Sequence, residues 1–391
     1  MKITTLNSLQ KIFYFALIGM TLMSSCKKKN GDGELVPVNV VPPDIETLTG
    51  TITEPRVLYN RFSDPNVLDY KVPSTVNIAT TLTIMPGVVI EMGPGAKFNV
   101  TALGKIRCLG TADSNVVFTG RQKNTGYWDY IMINSNDSTN LMDHTVVEYG
   151  GGNPTQEASL ILNSASTLKM QNSTIRYSES YGMSILQSDS RIMSFNNNVI
   201  QGSGYAPMII NSTQMSSINN SNSLSLQNVF NYIEVVGSDI QTPQTWGKTD
   251  VPFYLTSATT VNSDLKIAPG ARFIFGPAGR ILVNGVGSLN AIGLGTDSIY
   301  FSGGQNIAGY WDCILFLSNN PLNEFKYVTM KNGGGYWYWN ASIYLQDAYF
   351  KISYSTITNS ARWGIYRNGV YNFVNGGYNN FSGNAIGAIG P

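Results

Sequence analysis

Leu82 to Thr111 reads LTIMPGVVIEMGPGAKFNVTALGKIRCLGT and runs on to FTGRQKNTGYWDYI at Phe118 to Ile131. Leu265 to Thr296 reads LKIAPGARFIFGPAGRILVNGVGSLNAIGLGT and runs on to FSGGQNIAGYWDCI at Phe301 to Ile314, 183 residues later (265 − 82 = 183). Pro86-Gly87 answers to Pro269-Gly270, Gly93-Pro94 to Gly276-Pro277, Gly104 to Gly287, and Gly126-Tyr127-Trp128-Asp129 to Gly309-Tyr310-Trp311-Asp312. The triplet Gly150-Gly151-Gly152 returns as Gly333-Gly334-Gly335. Turn residues held in register over about a hundred residues mark a stacked repeat protein, in which each unit is ordered by its neighbours.

Around these turns the chain alternates apolar and polar residues in short runs: Thr81 to Ile84, Val88 to Met92, Lys97 to Val100, Val116 to Thr119, Tyr130 to Ile133, Thr145 to Tyr149, Ser159 to Leu162, Thr167 to Met170 and Ser173 to Tyr177. Period two over four to six residues predicts strands with every second side chain in one core. Asn, Ser and Gly recur at the corners, as at Asn172-Ser173, Asn196 to Asn198, Asn219 to Asn222 and Asn379-Asn380. That suits coils stacked like upon like, where Asn amides bond from rung to rung. Asn-Gly hairpin signals are few, which argues against a meander. The expected fold is all-β: a parallel β-helix.

The Leu-Thr-Ile-x-Pro-Gly, Gly-Thr and Gly-Tyr-Trp positions of both copies resemble the right-handed parallel β-helix proteins of the pectin-lyase-like superfamily, in particular lipid-anchored members from Bacteroidota. The resemblance covers residues 50 to 391, and its Gly, Pro and Trp positions are fold-determining. It implies a right-handed solenoid, which the duplication divides into two tandem copies, 51–240 and 241–391, expected as one continuous helix or two abutting segments with a seam near residues 237 to 262. At about 20 to 25 residues per coil each copy supplies roughly eight coils, a rod of about 70 Å. Thr51 to Tyr59 is the expected cap of the first coil.

The first residues follow an export pattern: Lys2 and Lys11, an apolar core from Ile12 to Met23, then Ser24-Ser25-Cys26. A core of about a dozen residues is too short to span a bilayer. Leu22 to Cys26 resembles a bacterial lipoprotein signal, which implies a signal peptide over 1–25, lipidation at Cys26 and a membrane partner through that lipid. Residues 26–50, charged and then rich in Pro and Val, read as a flexible tether. The expected location is the cell envelope, as an outer-membrane lipoprotein.

Charged residues make up 13% of the chain, against about 25% in ordinary globular domains. With 25 basic and 24 acidic residues there is no net field for nucleic acid, and none is expected as a partner. Cys108 and Cys313 meet Ala291 and Tyr130 at the duplicate positions, so both are read as small buried apolar residues. No metal or other cofactor is implied, and oligomeric state is left open.

His144, the one histidine, follows Asp143 and has the form of a general base beside a carboxylate. The second copy puts Lys326-Tyr327 there, and no Gly-x-Ser-x-Gly elbow accompanies it, so the site reads as a coil corner. Polysaccharide lyases and hydrolases of the pectin-lyase-like group need clustered carboxylates. Asp129 with Glu148, or Asp312 with Glu324 and Asp347, come only loosely within range. Asp137-Ser138-Thr139 and Asp297-Ser298-Ile299 resemble short O-glycosylation acceptors.

The copies diverge most after the glycine triplet, where Asn153-Pro154-Thr155-Gln156 is replaced by Tyr336-Trp337-Tyr338-Trp339. Four consecutive aromatics cannot all point inward from a two-faced strand, so at least two are expected at the surface. Tyr336, Trp337, Tyr338 and Trp339, with Trp363 and Tyr366 farther on, form the candidate ligand contact. Exposed Trp and Tyr faces suit sugar rings and protein partners alike. The expected activity is binding or scaffolding toward carbohydrate. A groove of three or more carboxylates with Arg or Lys would mark an enzyme instead, and a structural stalk would show neither feature.

Overall fold

The computed structural model describes residues 44–391, apart from 63, 65, 66, 370 and 371, together with a short antiparallel pair of Lys27–Lys29 with Leu35–Pro37. The export-like segment and Cys26 lie outside the described residues. Ile45–Pro391 forms one unit, a parallel β-solenoid. Its spine is a sheet of fourteen parallel strands, from Gly50–Ile52 to Asn380–Ser382. Within each half, after a pass through this long sheet the chain makes a second and then a third strand before returning; between Met208–Asn211 and Ile233–Val236 it makes neither. In the N-terminal half these build sheet 2N (six strands, Arg56–Leu58 to Arg191–Asn196) and sheet 3N (seven strands, Glu46–Thr47 to Val199–Gln201). In the C-terminal half they build sheet 2C (seven strands, Asp239–Ile240 to Gly387–Ile389) and sheet 3C (six strands, Gln244–Trp246 to Asn372–Asn375).

Period-two alternation produces these strands. Thr81–Ile84 and Lys97–Val100 each bury every second residue. One inward row runs in register through thirteen of the fourteen strands of the long sheet: Val76, Phe98, Ile131, Leu160, Met183, Met208, Ile233, Phe253, Phe273, Phe301, Met330, Ile357 and Phe381. Each fully buried side chain of this kind contributes about 1.5–3 kcal/mol. No single coil can bury this row alone, because each rung is covered only by the rungs on either side.

The corners are fixed by the duplicated motif. Trp128 and Trp311 are fully buried, and their indole N–H groups donate to Glu148 O and Lys331 O, each at 2.8 Å. The glycine triplet closes over them: Gly151 N and Gly334 N reach Asp129 O and Asp312 O at 2.7 Å. A Cβ on Gly152 or Gly335 would lie 2.1 Å from Gly126 O or Gly309 O, so backbone contact forbids any side chain there. Asparagine links rungs at other corners: Asn198 N donates to Asn222 Oδ1 at 3.0 Å, while Asn198 Nδ2 donates to Met170 O at 3.0 Å.

Three expectations shift. The long sheet has fourteen strands, not sixteen, because connections lengthen: successive long-sheet strands start 33 residues apart at Lys97 and Tyr130, but 19 apart at Phe253 and Arg272 (130 − 97 = 33; 272 − 253 = 19). The solenoid starts within the segment read as tether, since Glu46–Thr47 already pairs in sheet 3N and Leu48 is 1% exposed. Sheets 2N and 3N end at Asn196 and Gln201 and sheets 2C and 3C begin at Asp239 and Gln244, so the break between them lies largely before the expected seam of 237–262. There a 3₁₀ helix, Ser212–Ser217, capped by the Asn211 side chain, stands where the next strand of sheet 2N would fall. The stretch STQMSSI from Ser212 to Ile218 lacks the alternation a strand needs.

The duplicated sequence does not repeat face on face. Between Thr81–Ile84 and its counterpart Asp264–Ile267 the chain crosses the long sheet seven times, and the counterpart falls one face farther round, in 3C instead of 2N. Likewise Val116–Gly120 of 3N answers to Ile299–Gly303 of the long sheet, and Lys97–Val100 of the long sheet answers to Arg280–Val283 of 2C. The offset of 183 residues is therefore not a whole number of coils.

Candidate functional site

Tyr336 to Trp339 form a turn between Val328–Lys331 of the long sheet and Ala341–Gln346 of sheet 2C. The face shift just described puts this loop where the chain leaves the long sheet, whereas Asn153 to Gln156 lie where it enters. Trp337 is 68% and Tyr338 59% exposed, with their rings at 89° and 5.8 Å apart. Tyr336, 38% exposed, lies 4.7 Å from the Trp339 ring.

Trp339 is the foot of the loop. It packs on an outer-face cluster of Cys313, Leu315 and Tyr344, joined by Leu282, Leu317 and Tyr366. The Arg280 guanidinium stands 5.2 Å from its ring centroid and is held by Asp312 at 2.8 Å. Tyr366 stacks on Tyr344 at 5.5 Å and 15°, as their register partnership dictates. Burial pushes the Tyr344 phenol up, although Asn368 donates to its oxygen at 2.8 Å. Tyr366 thus shares a surface with Trp339. The structure does not bring Trp363 into this ring set: among the described residues its indole meets no other ring, and lies against Gly387 and Gly390 of the following strand.

A second aromatic array escaped sequence reasoning. Tyr181, Tyr205, Phe230, Tyr232 and Tyr254 form an unbroken chain of ring contacts across the seam, with centroid distances of 4.9, 4.7, 5.5 and 4.8 Å. Tyr181 Oη donates to Glu234 Oε2 at 2.8 Å. Burial pushes the Tyr181 and Tyr232 phenols up, reinforced by Glu234 beside the first and Tyr205 beside the second. The available signal was recurrence near one coil length, since Tyr205 follows Tyr181 by 24 residues and Phe230 follows Tyr205 by 25 (205 − 181 = 24; 230 − 205 = 25). It lies where the copies offer no comparison.

The catalytic candidates resolve into corner and ion-pair structure. His144 has φ 45°, and is one rung of a left-handed corner continued by Asn172 (50°) and Asn197 (55°). The corresponding rungs of the second half, Tyr327, Tyr354 and Tyr378, stack their rings at 5.0 and 4.8 Å. Asp143, 2.8 Å from His144 Nδ1, also accepts from Asn172 and Gln171. Burial pushes that carboxyl up, but these bonds outweigh it and hold the group below the usual carboxylate range. Glu148 meets Thr119 at 2.5 Å, Arg176 at 2.6 Å and Lys123 at 3.4 Å. Asp129 meets Lys97, and Glu324 meets Lys351. Among the described residues no three His, Cys, Asp or Glu are grouped to hold a metal ion. Cys108 and Cys313 are buried free thiols, and burial pushes that of Cys108 up to about 12.

Comparison of the chain with family models, with curated proteins and with solved structures finds no match.

Proposed function

We propose that this chain is an exported, lipid-anchored solenoid that binds carbohydrate, with the Tyr336 to Trp339 loop as the contact. The observation that carries the reading is the division of labour in the loop. Trp339 is packed against Tyr344 and Tyr366, while Trp337 and Tyr338 present open rings. Flat aromatic faces on a preorganised base stack on sugar rings with little ordering cost. Asp129, Glu148, Asp312 and Glu324 each carry a basic partner, which leaves them poorly suited to the clustered acid chemistry of a lyase or hydrolase. The pectin-lyase-like affinity and its right-handed coil rest on the Pro-Gly, Gly-Thr and Gly-Tyr-Trp positions. Lipidation rests on Leu22 to Cys26, and the tether would set the solenoid off from the cell-envelope membrane.

A glycan-array screen of the full chain, with reducing-end release followed in parallel, tests the proposal. The expected result is binding without release, weakened at least tenfold (about 1.4 kcal/mol) in Trp337→Ala plus Tyr338→Ala. Unchanged binding in a folded double variant, or steady reducing-end release, sinks it.

A further inference from the structure

The seam carries a cleft that no part of the aromatic loop touches. Its volume is about 480 Å³, within the range of about 300–1,000 Å³ common for small-molecule sites. It exists because the 3₁₀ helix Ser212–Ser217 replaces a strand. That helix packs on Arg191–Asn196, the last strand of sheet 2N, and on Asp239–Ile240 and Gln244–Trp246, the first strands of sheets 2C and 3C. The regular wall is thereby opened between two halves that are each continuous.

The walls are fixed from behind. Gln214 Nε2 donates to Ser190 O at 2.7 Å, Thr213 Oγ1 to Asn211 Oδ1 at 3.0 Å and Gln244 Nε2 to Thr213 O at 3.3 Å. Trp246 Nε1 in turn donates to Gln244 Oε1 at 2.9 Å. The groups left facing the opening are of another kind. Arg191 on one wall and Asp239 on the other are exposed, and neither has an ion-pair or side-chain hydrogen-bond partner among the described residues. The same cleft is also lined by Ser188 and Ser216, which bring hydroxyls, and by Met193 and Pro243, which bring apolar surface.

We infer that this cleft is a second binding site, for a neutral pyranose ring, with Arg191 donating to its hydroxyl oxygens and Asp239 accepting from its hydroxyl hydrogens. A sugar hydroxyl is donor and acceptor at once, so adjacent hydroxyls satisfy both unpaired charges with charge-assisted bonds. The C–H face of the ring matches Met193 and Pro243. A uronate would pair with Arg191 but meet Asp239 with like charge, and an amino sugar the reverse. The inference extends the carbohydrate reading to a site that shares no residue with Tyr336 to Trp339.

The test is titration of the full chain, followed by NMR, with methyl glucoside, methyl galactoside and methyl mannoside, and with galacturonate and glucosamine as charged comparators. At least one neutral pyranoside should bind. That binding should weaken tenfold or more in Arg191→Ala and in Asp239→Ala, and persist in Trp337→Ala plus Tyr338→Ala. Both cleft residues are exposed, so the variants are expected to fold, which circular dichroism checks. The inference is overturned by no neutral pyranoside binding, by binding indifferent to Arg191 and Asp239, or by tighter binding of either charged sugar. If binding is lost only in the aromatic variant, the cleft fails and the loop stands. If it is lost only in the cleft variants, the cleft stands, and the loop is judged separately by the glycan-array screen of its own double variant.

Discussion

At the residue scale, the strictest requirements belong to the corner built from Trp311 and its glycines. A methyl on Gly335 would enter the Gly309 carbonyl, whereas one on Gly247 would meet nothing closer than 3.8 Å. Gly335→Ala should lower the melting temperature by several degrees, and Gly247→Ala should leave it within a degree or two, since about 1 kcal/mol moves a domain this large by only a few degrees. Equal melting temperatures would refute the assignment. Acid sensitivity also sits here. The Lys105 ammonium, with Thr139, holds the Asp137 carboxyl down at about 2, and Asp143 and Glu148 are lowered as well. A depressed folded value means stability present above the unfolded value of about 4 and lost as pH falls through the folded one. Urea midpoints should therefore fall between about pH 4 and pH 2, and less so in Asp137→Asn; parallel curves for the two proteins would contradict this. Aromatic density at Tyr336 to Trp339 was legible because four adjacent rings exhaust the inward positions. The failure of Trp363 to join them was not, because Gly387 and Gly390 come from the next coil.

At the scale of the element, a strand here is stable only as a rung. Phe301 stacks on Phe273 at 5.2 Å and on Phe325 at 5.7 Å, and is fully buried. Phe301→Ala should cost about 3–5 kcal/mol, the usual range for emptying a well-packed aromatic site, read from denaturant midpoints at constant slope. A loss below about 1 kcal/mol would mean the coils close over the gap. Strand positions were readable from period two alone: Thr81–Ile84, Lys97–Val100 and Tyr130–Ile133 appear at the expected bounds. Lys105–Leu109 and Leu141–Asp143 went unnoticed. The first keeps an intact alternation, with Ile106 and Cys108 buried and Arg107 exposed, and was simply overlooked; the second is too short to show a period.

For the whole molecule, the decisive feature is a single long sheet that passes unbroken through a seam at which the other two sheets stop and restart. At the seam only the long sheet continues as a regular ladder, while residues 218–232 lie in loops and bends held by isolated backbone bonds such as Ser223 N to Asn198 O and Phe230 N to Tyr205 O. Amides of 218–232 should exchange with deuterium faster than those of Met208–Asn211 and Ile233–Val236, because local opening follows the density of cooperative strand bonds. Uniform protection across the three segments would place the seam inside the cooperative core instead.

The sequence by itself determined the strand period, the stacked architecture and the repeated tryptophan corners, because each follows from local alternation or from residues repeated at a fixed offset. Only the tertiary structure decided which face each copy occupies, and with it the position of the aromatic loop, the Tyr181 to Tyr254 array and the cleft at Arg191 and Asp239. Facing is set by the summed lengths of all intervening connections, and a surface on a solenoid is assembled from residues about one coil apart. Neither quantity is written in any short stretch of chain.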